Sequence, residues 1–266
     1  MCTLEKRGRL FLLKLTGDGE HRLNPTLLDN IRSAITQIRS DPSSSQSVLI
    51  TTSDGKFFSN GYDLALAASD PPLRAVMAAK LQSLVADLIS LPMPTIAAVT
   101  GHASAAGFLL AMSHDYILMR RDRGFLYMSE LDIELVLPAW FMSMIRMKVV
   151  SPAAKRDVAL TAEKITADRG LEMGIVDSSH GSAGETVEAA VKLGEEIVRR
   201  GADGHVYGRM RETLLREVLH AIGSNESASN GVRNSGSKLS WSSSWRTSTW
   251  SAFLLLPRCV GRSARF

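Results

Sequence analysis

The sequence predicts an α/β protein in which a parallel β-sheet is covered by helices on both faces. In the first half of the 266-residue chain, short apolar runs typical of buried strands alternate with stretches of helical spacing. Several of these runs are followed by turns rich in glycine and other small residues. From residue 138 onwards the pattern is mostly helical. A chain of this length can bury a full core in one large domain.

Four apolar runs are predicted to be strands, at 9–16, 47–52, 95–99 and 115–119. A helix is predicted to start at Asn24 and Pro25, because asparagine favours the N-cap and proline the first turn. Apolar residues then follow at helical spacing up to Ile38. The further predicted helices are 76–88, 105–113, 138–148, 153–161, 166–173, 183–200 and 204–222. Between them, 53–63 is predicted as a loop and 101–107 as a tight turn.

The net charge does not indicate a nucleic-acid partner. The chain carries a formal net charge of +4, but four arginines lie after residue 239, in a stretch without acidic residues. Without those four charges residues 1–239 are neutral, whereas a nucleic-acid-binding domain carries a basic surface. The two cysteines, Cys2 and Cys259, have neither metal-ligand spacing nor a disulfide framework, which is typical of a reducing compartment.

The sequence also predicts the cellular location of the protein and its division into regions. No apolar segment resembles a secretory signal or approaches the ~20 residues of a membrane helix, so we expect a soluble intracellular protein. The Ser-Lys-Leu at 237–239 has the form of a peroxisomal address, but it is internal. We expect a core at 1–200, a helical region at 201–222, and a flexible or aberrant tail at 223–266. Its last part, 240–266, is interpreted as read-through, a splice variant or a gene-model artefact.

Two small-residue segments that follow predicted strands are candidates for a functional site. The first, 57–64, reads Phe-Phe-Ser-Asn-Gly-Tyr-Asp-Leu and contains a glycine where the backbone must turn tightly. The second, 100–107, reads Thr-Gly-His-Ala-Ser-Ala-Ala-Gly and leads into a predicted buried helix, whose first turn has unpaired N–H groups. Such N–H groups can stabilise an oxyanion. Either segment alone could be an ordinary turn, but two of them after successive strands favour a site.

These segments resemble the two oxyanion-hole loops of the crotonase (enoyl-CoA hydratase/isomerase) superfamily. The first resembles its F-x-x-G-x-D-[LI] loop and the second its G-x-[AS]-x-[GA]-[GA]-G turn. The His-Asp-Tyr at 114–116 and the Gly-Ile-Val-Asp at 174–177 resemble two further signatures, and the similarity runs in order over 5–220. Within the superfamily the chain is most similar to the plant peroxisomal Δ3,Δ2-enoyl-CoA isomerases. The resemblance implies a crotonase-like ββα spiral core with a helical C-terminal oligomerisation region.

The resemblance also implies which residues form the site. The oxyanion donors would be the backbone N–H groups of Asn60 and Ala106, where the side chain matters little. The implied substrate-binding residues are Ser59, Asn60, Gly61, Tyr62, Asp63 and Leu64. No cofactor is implied, because CoA arrives as part of the substrate. No metal is expected either, since the six histidines show no metal-ligand spacing.

One carboxylate rather than two is expected at the site. Hydratases of the superfamily use two glutamates, and this chain has Leu109 at the first position and Glu130 at the second. Leucine can neither activate water nor donate a proton, whereas one carboxylate suffices to move a proton from C2 to C4 of a 3-enoyl thioester. Apolar neighbours such as Phe125 and Leu131 should raise the pKa of Glu130 by desolvation.

Other interpretations of these residues stay open at the level of sequence. Glu130 could be a structural carboxylate paired with Arg120 or Arg121, and Glu134 is the reserve candidate for the base. A hydrolase site at 102–104, where histidine and serine are close, lacks the G-x-S-x-G motif. His114, at a predicted helix-to-strand junction, is interpreted as a core histidine with satisfied hydrogen bonds.

Together, the residues and the resemblance predict isomerisation of cis- or trans-3-enoyl-CoA to trans-2-enoyl-CoA in the β-oxidation of unsaturated fatty acids. The alternatives are a dienoyl-CoA isomerisation, a thioester hydrolysis, or a non-catalytic acyl-CoA-binding subunit. We expect a homo-oligomer, a trimer or hexamer, that binds acyl-CoA and neither nucleic acid nor a membrane. A chain ending at Leu239 would be directed to the peroxisome, and the full chain is otherwise expected in the cytoplasm.

Overall fold

The computed structural model describes residues 1–224 of the chain. Its strands are β1 (Cys2–Arg7), β2 (Leu10–Leu15), β3 (Val48–Ser53), β4 (Phe57–Ser59), β5 (Thr95–Val99), β6 (His102–Ser104), β7 (Tyr116–Arg120), β8 (Leu126–Tyr127) and β9 (Ser178–His180). Its α-helices are α1 (Pro25–Ser40), α2 (Leu64–Ser69), α3 (Pro72–Ile89), α4 (Ala106–Met112), α5 (Ala139–Lys148), α6 (Pro152–Leu160), α7 (Ala167–Glu172), α8 (Ala183–Arg200), α9 (Gly204–Leu214) and α10 (Arg216–Gly223). The predicted tail at 223–266 lies outside the described residues except for its first two positions.

Six strands form the larger sheet in the order β1-β2-β3-β5-β7-β9. The β1–β2 pair is antiparallel and all other neighbouring pairs are parallel. The four inner strands are those that the sequence predicts, because their residues are mostly buried and read as continuous apolar runs. The sequence does not predict the two edge strands, since β1 is largely exposed and β9 has three half-buried residues.

Helices cover both faces of the larger sheet, which confirms the predicted fold class. On one face, α8 packs against an apolar layer that includes Leu12, Ile50 and Leu118. On the other face, α1, α3 and α4 enclose the main core. Helix α1 begins as predicted, because the Leu27 N–H donates to the Asn24 side-chain oxygen at 2.8 Å and Pro25 occupies the first position.

A second, three-stranded parallel sheet lies where the sequence predicts only a loop and a turn. Its order is β4-β6-β8, with β4 inside the predicted loop 53–63 and β6 inside the predicted turn 101–107. Strands of two or three residues are too short to show the alternation by which a strand is recognised in a sequence. Because the three strands run in one direction, their carboxyl ends lie at the same edge of this small sheet.

The C-terminal helices differ from the prediction at one position. The single helix predicted at 204–222 is two helices, α9 and α10, separated by Leu215, whose φ of −98° and ψ of 22° are not helical. Both helices pack back onto α3 of the same chain, and α10 also packs onto α5. Within residues 1–224, none of the helices combines the length and apolar character that a membrane crossing requires.

Candidate active site

Three chain segments meet at the carboxyl edge of the small sheet. Strand β4 leads into residues 60–63, which contain Gly61 and which we call the glycine loop. Strand β6 leads into the turn before α4, and β8 leads to Glu130. These are the three segments that the sequence singles out. In α/β folds, ligand sites form at the carboxyl ends of parallel strands. The fold therefore brings the predicted loop, turn and carboxylate to one place.

The glycine loop and the turn are in direct backbone contact. Gly61 has a φ of +72°, in the left-handed region that favours glycine. A Cβ atom at this position would lie 3.0 Å from the Ser104 carbonyl oxygen and 3.4 Å from the Ala106 nitrogen. No side chain can therefore be accommodated without displacing the turn, which explains the glycine.

The turn holds Ala105 in a strained conformation. Its φ of 52° and ψ of −123° lie in a region that L-residues rarely adopt, at a cost on the order of 1–3 kcal/mol. The Ala105 N–H donates to the Tyr127 carbonyl at 2.6 Å, which ties the turn to β8. Helix α4 then starts at Ala106, whose N–H has no acceptor among the described residues. The predicted second donor is therefore available to a ligand.

The structure corrects the predicted first donor. The Asn60 N–H donates to the carbonyl of Glu20 at 2.9 Å, so it cannot also serve a substrate oxygen. The next residue after the glycine, Tyr62, has an N–H without an acceptor within residues 1–224. The sequence does not reveal this difference, because the hydrogen bond comes from residues 40 positions earlier. We therefore assign the free amides of this site to Tyr62 and Ala106.

Three further residues of the predicted substrate-binding loop, Ser59, Asp63 and Leu64, lie in different environments. Ser59 is fully buried and its hydroxyl donates to the His21 carbonyl at 2.8 Å. The Asp63 carboxylate caps α2, accepting the Leu66 N–H at 3.0 Å. Leu64 begins α2 and is 40% exposed. Ser59 and Asp63 thus shape the loop through their side chains rather than facing a ligand.

Glu130 is buried without a charged partner. Its residue is 8% exposed, and its Oε2 has no hydrogen-bond partner among the described residues. Burial raises the pKa of Glu130 from its usual value to about 7. Burial raises the pKa of the Tyr62 phenol, and the charge of Glu130 adds to this effect. This is the environment expected of a catalytic base.

The alternative interpretation, in which Glu130 is a structural carboxylate paired with Arg120 or Arg121, is wrong. Arg120 pairs with Asp122 and donates to the Thr100 carbonyl, and Arg121 pairs with Asp168. Neither arginine contacts Glu130. The reserve candidate for the base, Glu134, is exposed on the segment that follows, so it is unsuited to that role.

The position of a second acid is filled by an apolar side chain. Leu109 is fully buried in α4, two residues beyond Gly107. A hydrolase pair does not form either, because the His102 ring lies between Phe57 and Phe125, at 5.1 and 5.2 Å between ring centroids. Within the described part of the chain, neither Ser104 nor any other serine hydroxyl hydrogen-bonds to His102.

Among residues 1–224, no three His, Cys, Asp or Glu side chains converge on one point as ligands of a metal ion would. His114 is the core histidine that the sequence predicts. It is 1% exposed, with Nδ1 2.9 Å from the Leu110 carbonyl oxygen and Nε2 2.8 Å from the Thr51 hydroxyl. Both ring nitrogens are thereby satisfied, and burial lowers the pKa of His114 to about 4.

The fold and the paired amides define a class of protein, and a comparison of sequences agrees. The chain belongs to the enoyl-CoA hydratase/isomerase family, whose model matches residues 13–217. It is 80% identical over 240 residues to enoyl-CoA delta isomerase 1, peroxisomal, of Arabidopsis thaliana, covering 90% of this chain and 100% of that relative. It is 47% identical over 230 residues to enoyl-CoA delta isomerase 2, peroxisomal, of the same plant, covering 84% and 95%.

Solved structures share the architecture. A probable enoyl-CoA hydratase of Mycobacterium tuberculosis has a TM-score of 0.77 and 20% identity, over 85% of this chain and 92% of that one. An enoyl-CoA hydratase/isomerase family protein from a Pseudomonas species has a TM-score of 0.77 and 19% identity, over 85% and 94%. At these identities the likeness concerns the fold alone. It confirms the predicted crotonase fold.

Proposed function

We propose that this chain isomerises 3-enoyl-CoA to trans-2-enoyl-CoA in the degradation of unsaturated fatty acids. The observation that carries the proposal is Glu130, a buried carboxylate whose Oε2 has no hydrogen-bond partner in residues 1–224, at the edge where two backbone amides also lack an acceptor there. The names of the two Arabidopsis relatives, both enoyl-CoA delta isomerases, support the same activity.

The reaction needs one group that first accepts and then returns a proton. The Glu130 carboxylate takes a proton from C2 of the 3-enoyl thioester, and the electron pair spreads over C2, C4 and the thioester oxygen. The N–H groups of Tyr62 and Ala106 donate to this oxygen while it is negatively charged, each worth about 2.7–4 kcal/mol in comparable sites. Glu130 then returns the proton to C4, which leaves the double bond between C2 and C3 and restores the carboxylate.

Leu109 argues against hydration. Addition of water to a 2-enoyl thioester needs one group to activate the water and another to protonate the product carbon. A fully buried leucine supplies neither. We infer that no cofactor takes part, since proton transfer at C2 and C4 requires only the carboxylate and the two amides.

Two further properties belong to this proposal. The chain binds acyl-CoA as its substrate and assembles into a homo-oligomer, a trimer or hexamer, for which the exposed apolar residues of α9 are candidate contacts. It acts in the peroxisome when the chain ends at Leu239. Imaging of tagged chains with and without residues 240–266 tests the location, and equal import of both would contradict it.

The assay compares two substrates on purified protein. We expect rapid conversion of 3-hexenoyl-CoA to 2-hexenoyl-CoA and no hydration of 2-hexenoyl-CoA. Fast hydration would contradict the argument from Leu109. Release of free CoA or exclusive turnover of a dienoyl-CoA would favour the thioesterase or dienoyl-CoA isomerase. Binding without turnover would identify a non-catalytic subunit.

A further inference from the structure

Residues 18–23, which we call the bracing segment, are hydrogen-bonded to β4 and to the start of the glycine loop. Backbone bonds join Phe57 N–H to Gly19 O at 3.1 Å, Asn60 N–H to Glu20 O at 2.9 Å, and Leu23 N–H to Gly61 O at 2.8 Å. The Ser59 hydroxyl donates to the His21 carbonyl at 2.8 Å. The loop that carries the Tyr62 amide is thus built against this segment.

His21 lies at the centre of the bracing segment. Its residue is 2% exposed, and its Nδ1 lies 2.9 Å from the carbonyl oxygen of Phe57, the first residue of β4. A carbonyl oxygen only accepts, so Nδ1 carries the proton and donates. The imidazole therefore fixes the start of the strand from which the loop emerges, while the His21 carbonyl fixes Ser59.

The backbone of His21 is held in a rare conformation. Its φ of 47° lies in the left-handed region, where Asn, Asp and His are the non-glycine residues found most often. The Asp18 carboxylate stabilises this turn by accepting the N–H groups of Glu20 at 2.9 Å and His21 at 3.2 Å. These backbone bonds lower the pKa of Asp18.

Only one of the two ring nitrogens is used. The Nε2 of His21 is buried and has no hydrogen-bond partner among the described residues, in contrast to His114, where both nitrogens are satisfied. A buried polar atom without a partner is unfavourable. The one polar contact of the ring is thus the bond from Nδ1–H to the Phe57 carbonyl, which also accepts the Ser53 hydroxyl at 3.0 Å.

We propose that His21 is a positioning residue for the oxyanion hole, which holds the glycine loop, and with it the Tyr62 amide, through the hydrogen bond from Nδ1 to Phe57. The inference rests on the proposed function of Tyr62 and Ala106 as oxyanion donors. His21 acts through the loop and does not itself contact the substrate. Since misplacement by about 1 Å can cost a factor of 10² in rate, this brace affects turnover more than binding.

Two isosteric variants distinguish the role of Nδ1 from mere burial. In His21→Asn the amide nitrogen takes the place of Nδ1, and asparagine tolerates the left-handed backbone. In His21→Gln the amide nitrogen lies one bond further out, near the place of Nε2. We expect His21→Asn to keep a kcat near wild type, and His21→Gln and His21→Leu to lose about tenfold or more in kcat with little change in KM.

The carbonyl stretching frequency of bound 2-hexenoyl-CoA gives a readout that does not depend on turnover. Two amide donors polarise the thioester carbonyl and lower this frequency relative to water. We expect the lowered frequency in wild type and His21→Asn, and a return towards the solution value in His21→Gln and His21→Leu. Wild-type frequency and kcat in His21→Leu, or equal behaviour of the Asn and Gln variants, would overturn the proposal.

Two control variants distinguish a failure of the positioning role from a loss of stability and from a failure of the proposed reaction. His114→Asn changes another fully buried histidine, and we expect it to lower Tm while leaving kcat per folded enzyme and the carbonyl frequency unchanged. Glu130→Gln tests the proposed reaction itself, because it should lower turnover by about 10²–10⁴ without altering the carbonyl shift. Full activity of Glu130→Gln contradicts the proposed function, whereas an inactive Glu130→Gln beside an unaffected His21→Gln contradicts the positioning role alone.

Discussion

At the scale of single residues, the proposed reaction depends on the protonation state of Glu130. A base must be ionised, and burial raises the pKa of Glu130 to about 7. We therefore expect kcat/KM to rise as the pH increases through about 7 and to level off above it. In Glu130→Gln the rate should fall by about 10²–10⁴, and this rise with pH should vanish. A pH profile of both proteins on 3-hexenoyl-CoA measures this, and a flat wild-type profile would contradict the assignment.

The same raised pKa predicts how stability depends on pH. Between pH 4.5, the usual pKa of this carboxyl, and about 7, the folded chain holds a proton that the unfolded chain has lost. The stability that protonated Glu130 contributes to the folded chain is fully present below pH 4.5 and is lost as the pH rises through about 7. The glutamine in Glu130→Gln does not ionise. The free energy of unfolding of this variant, relative to that of wild type, should therefore increase by up to about 3 kcal/mol as the pH rises over this range. Thermal unfolding at pH 5 and pH 8 measures the change, and a constant difference would disagree.

Gly61 offers a test of the contact between the loop and the turn. Gly61→Ala adds a Cβ 3.0 Å from the Ser104 carbonyl and a strained backbone. Gly201 has a similar φ of +66°, and no atom of the described residues lies within 4 Å of its Cβ position, so Gly201→Ala carries the backbone penalty of about 1 kcal/mol alone. We expect a similar loss of Tm from the backbone in both variants, but a loss of about 10² or more in kcat only for Gly61→Ala. Equal kcat in the two variants would show that the contact is not needed.

At the scale of elements, the small sheet shows where sequence reasoning reaches its limit. The glycine loop, the turn and Glu130 are recognisable because each depends on local residue types, such as glycine at a positive φ. The three strands that align them are too short to have a pattern. The error at Asn60 has a similar origin. Whether an amide is free depends on a partner such as Glu20, distant in the chain, which local sequence does not specify.

A buried arginine of helix α9 bonds the helix to the core. Arg211 is 4% exposed, donates to the carbonyls of Ile89, Leu91 and Met93, and pairs with Asp115 at 2.6 Å. Arg211→Met leaves these acceptors unsatisfied, and removal of one partner of a buried ion pair costs about 3–5 kcal/mol.

Urea unfolding followed by circular dichroism measures this loss. The matched control is Arg209→Met, on the same helix, where the side chain is 85% exposed and the expected change is within about 0.5 kcal/mol. Equal midpoints for the two variants would show that the buried network does not hold the helix.

At the scale of the whole molecule, the sequence predicts the layers of the fold better than its edges. The buried inner strands and the amphipathic helix α8 have clear periodicities, and they form the covered sheet. The break at Leu215 is not signalled, because no glycine or proline marks it. An interface between copies of a chain has a signal of its own, namely apolar side chains that are exposed on the single chain.

Helix α9 carries such a signal. Val206, Met210 and Leu214 are 58%, 69% and 67% exposed, and their spacing of four residues places them on one face. Exposed apolar surface of this kind is unfavourable in water and marks interaction sites. Because Arg211 fixes one side of α9 to the core, the opposite side faces outward within residues 1–224 and is a candidate contact with a second copy. We therefore expect the wild-type chain to elute as a trimer or larger assembly in size-exclusion chromatography with light scattering.

Met210→Glu places a charge in the middle of this face and should shift the protein to a monomer of unchanged circular dichroism. The control His205→Glu adds a charge to the same helix, one position before Val206 and off the apolar face, and should leave the assembly intact. A wild-type monomer, or an oligomer unaffected by Met210→Glu, would exclude α9 as the interface. Because desolvating a charge against an apolar partner is costly, even a small contact at Met210 should register in this comparison.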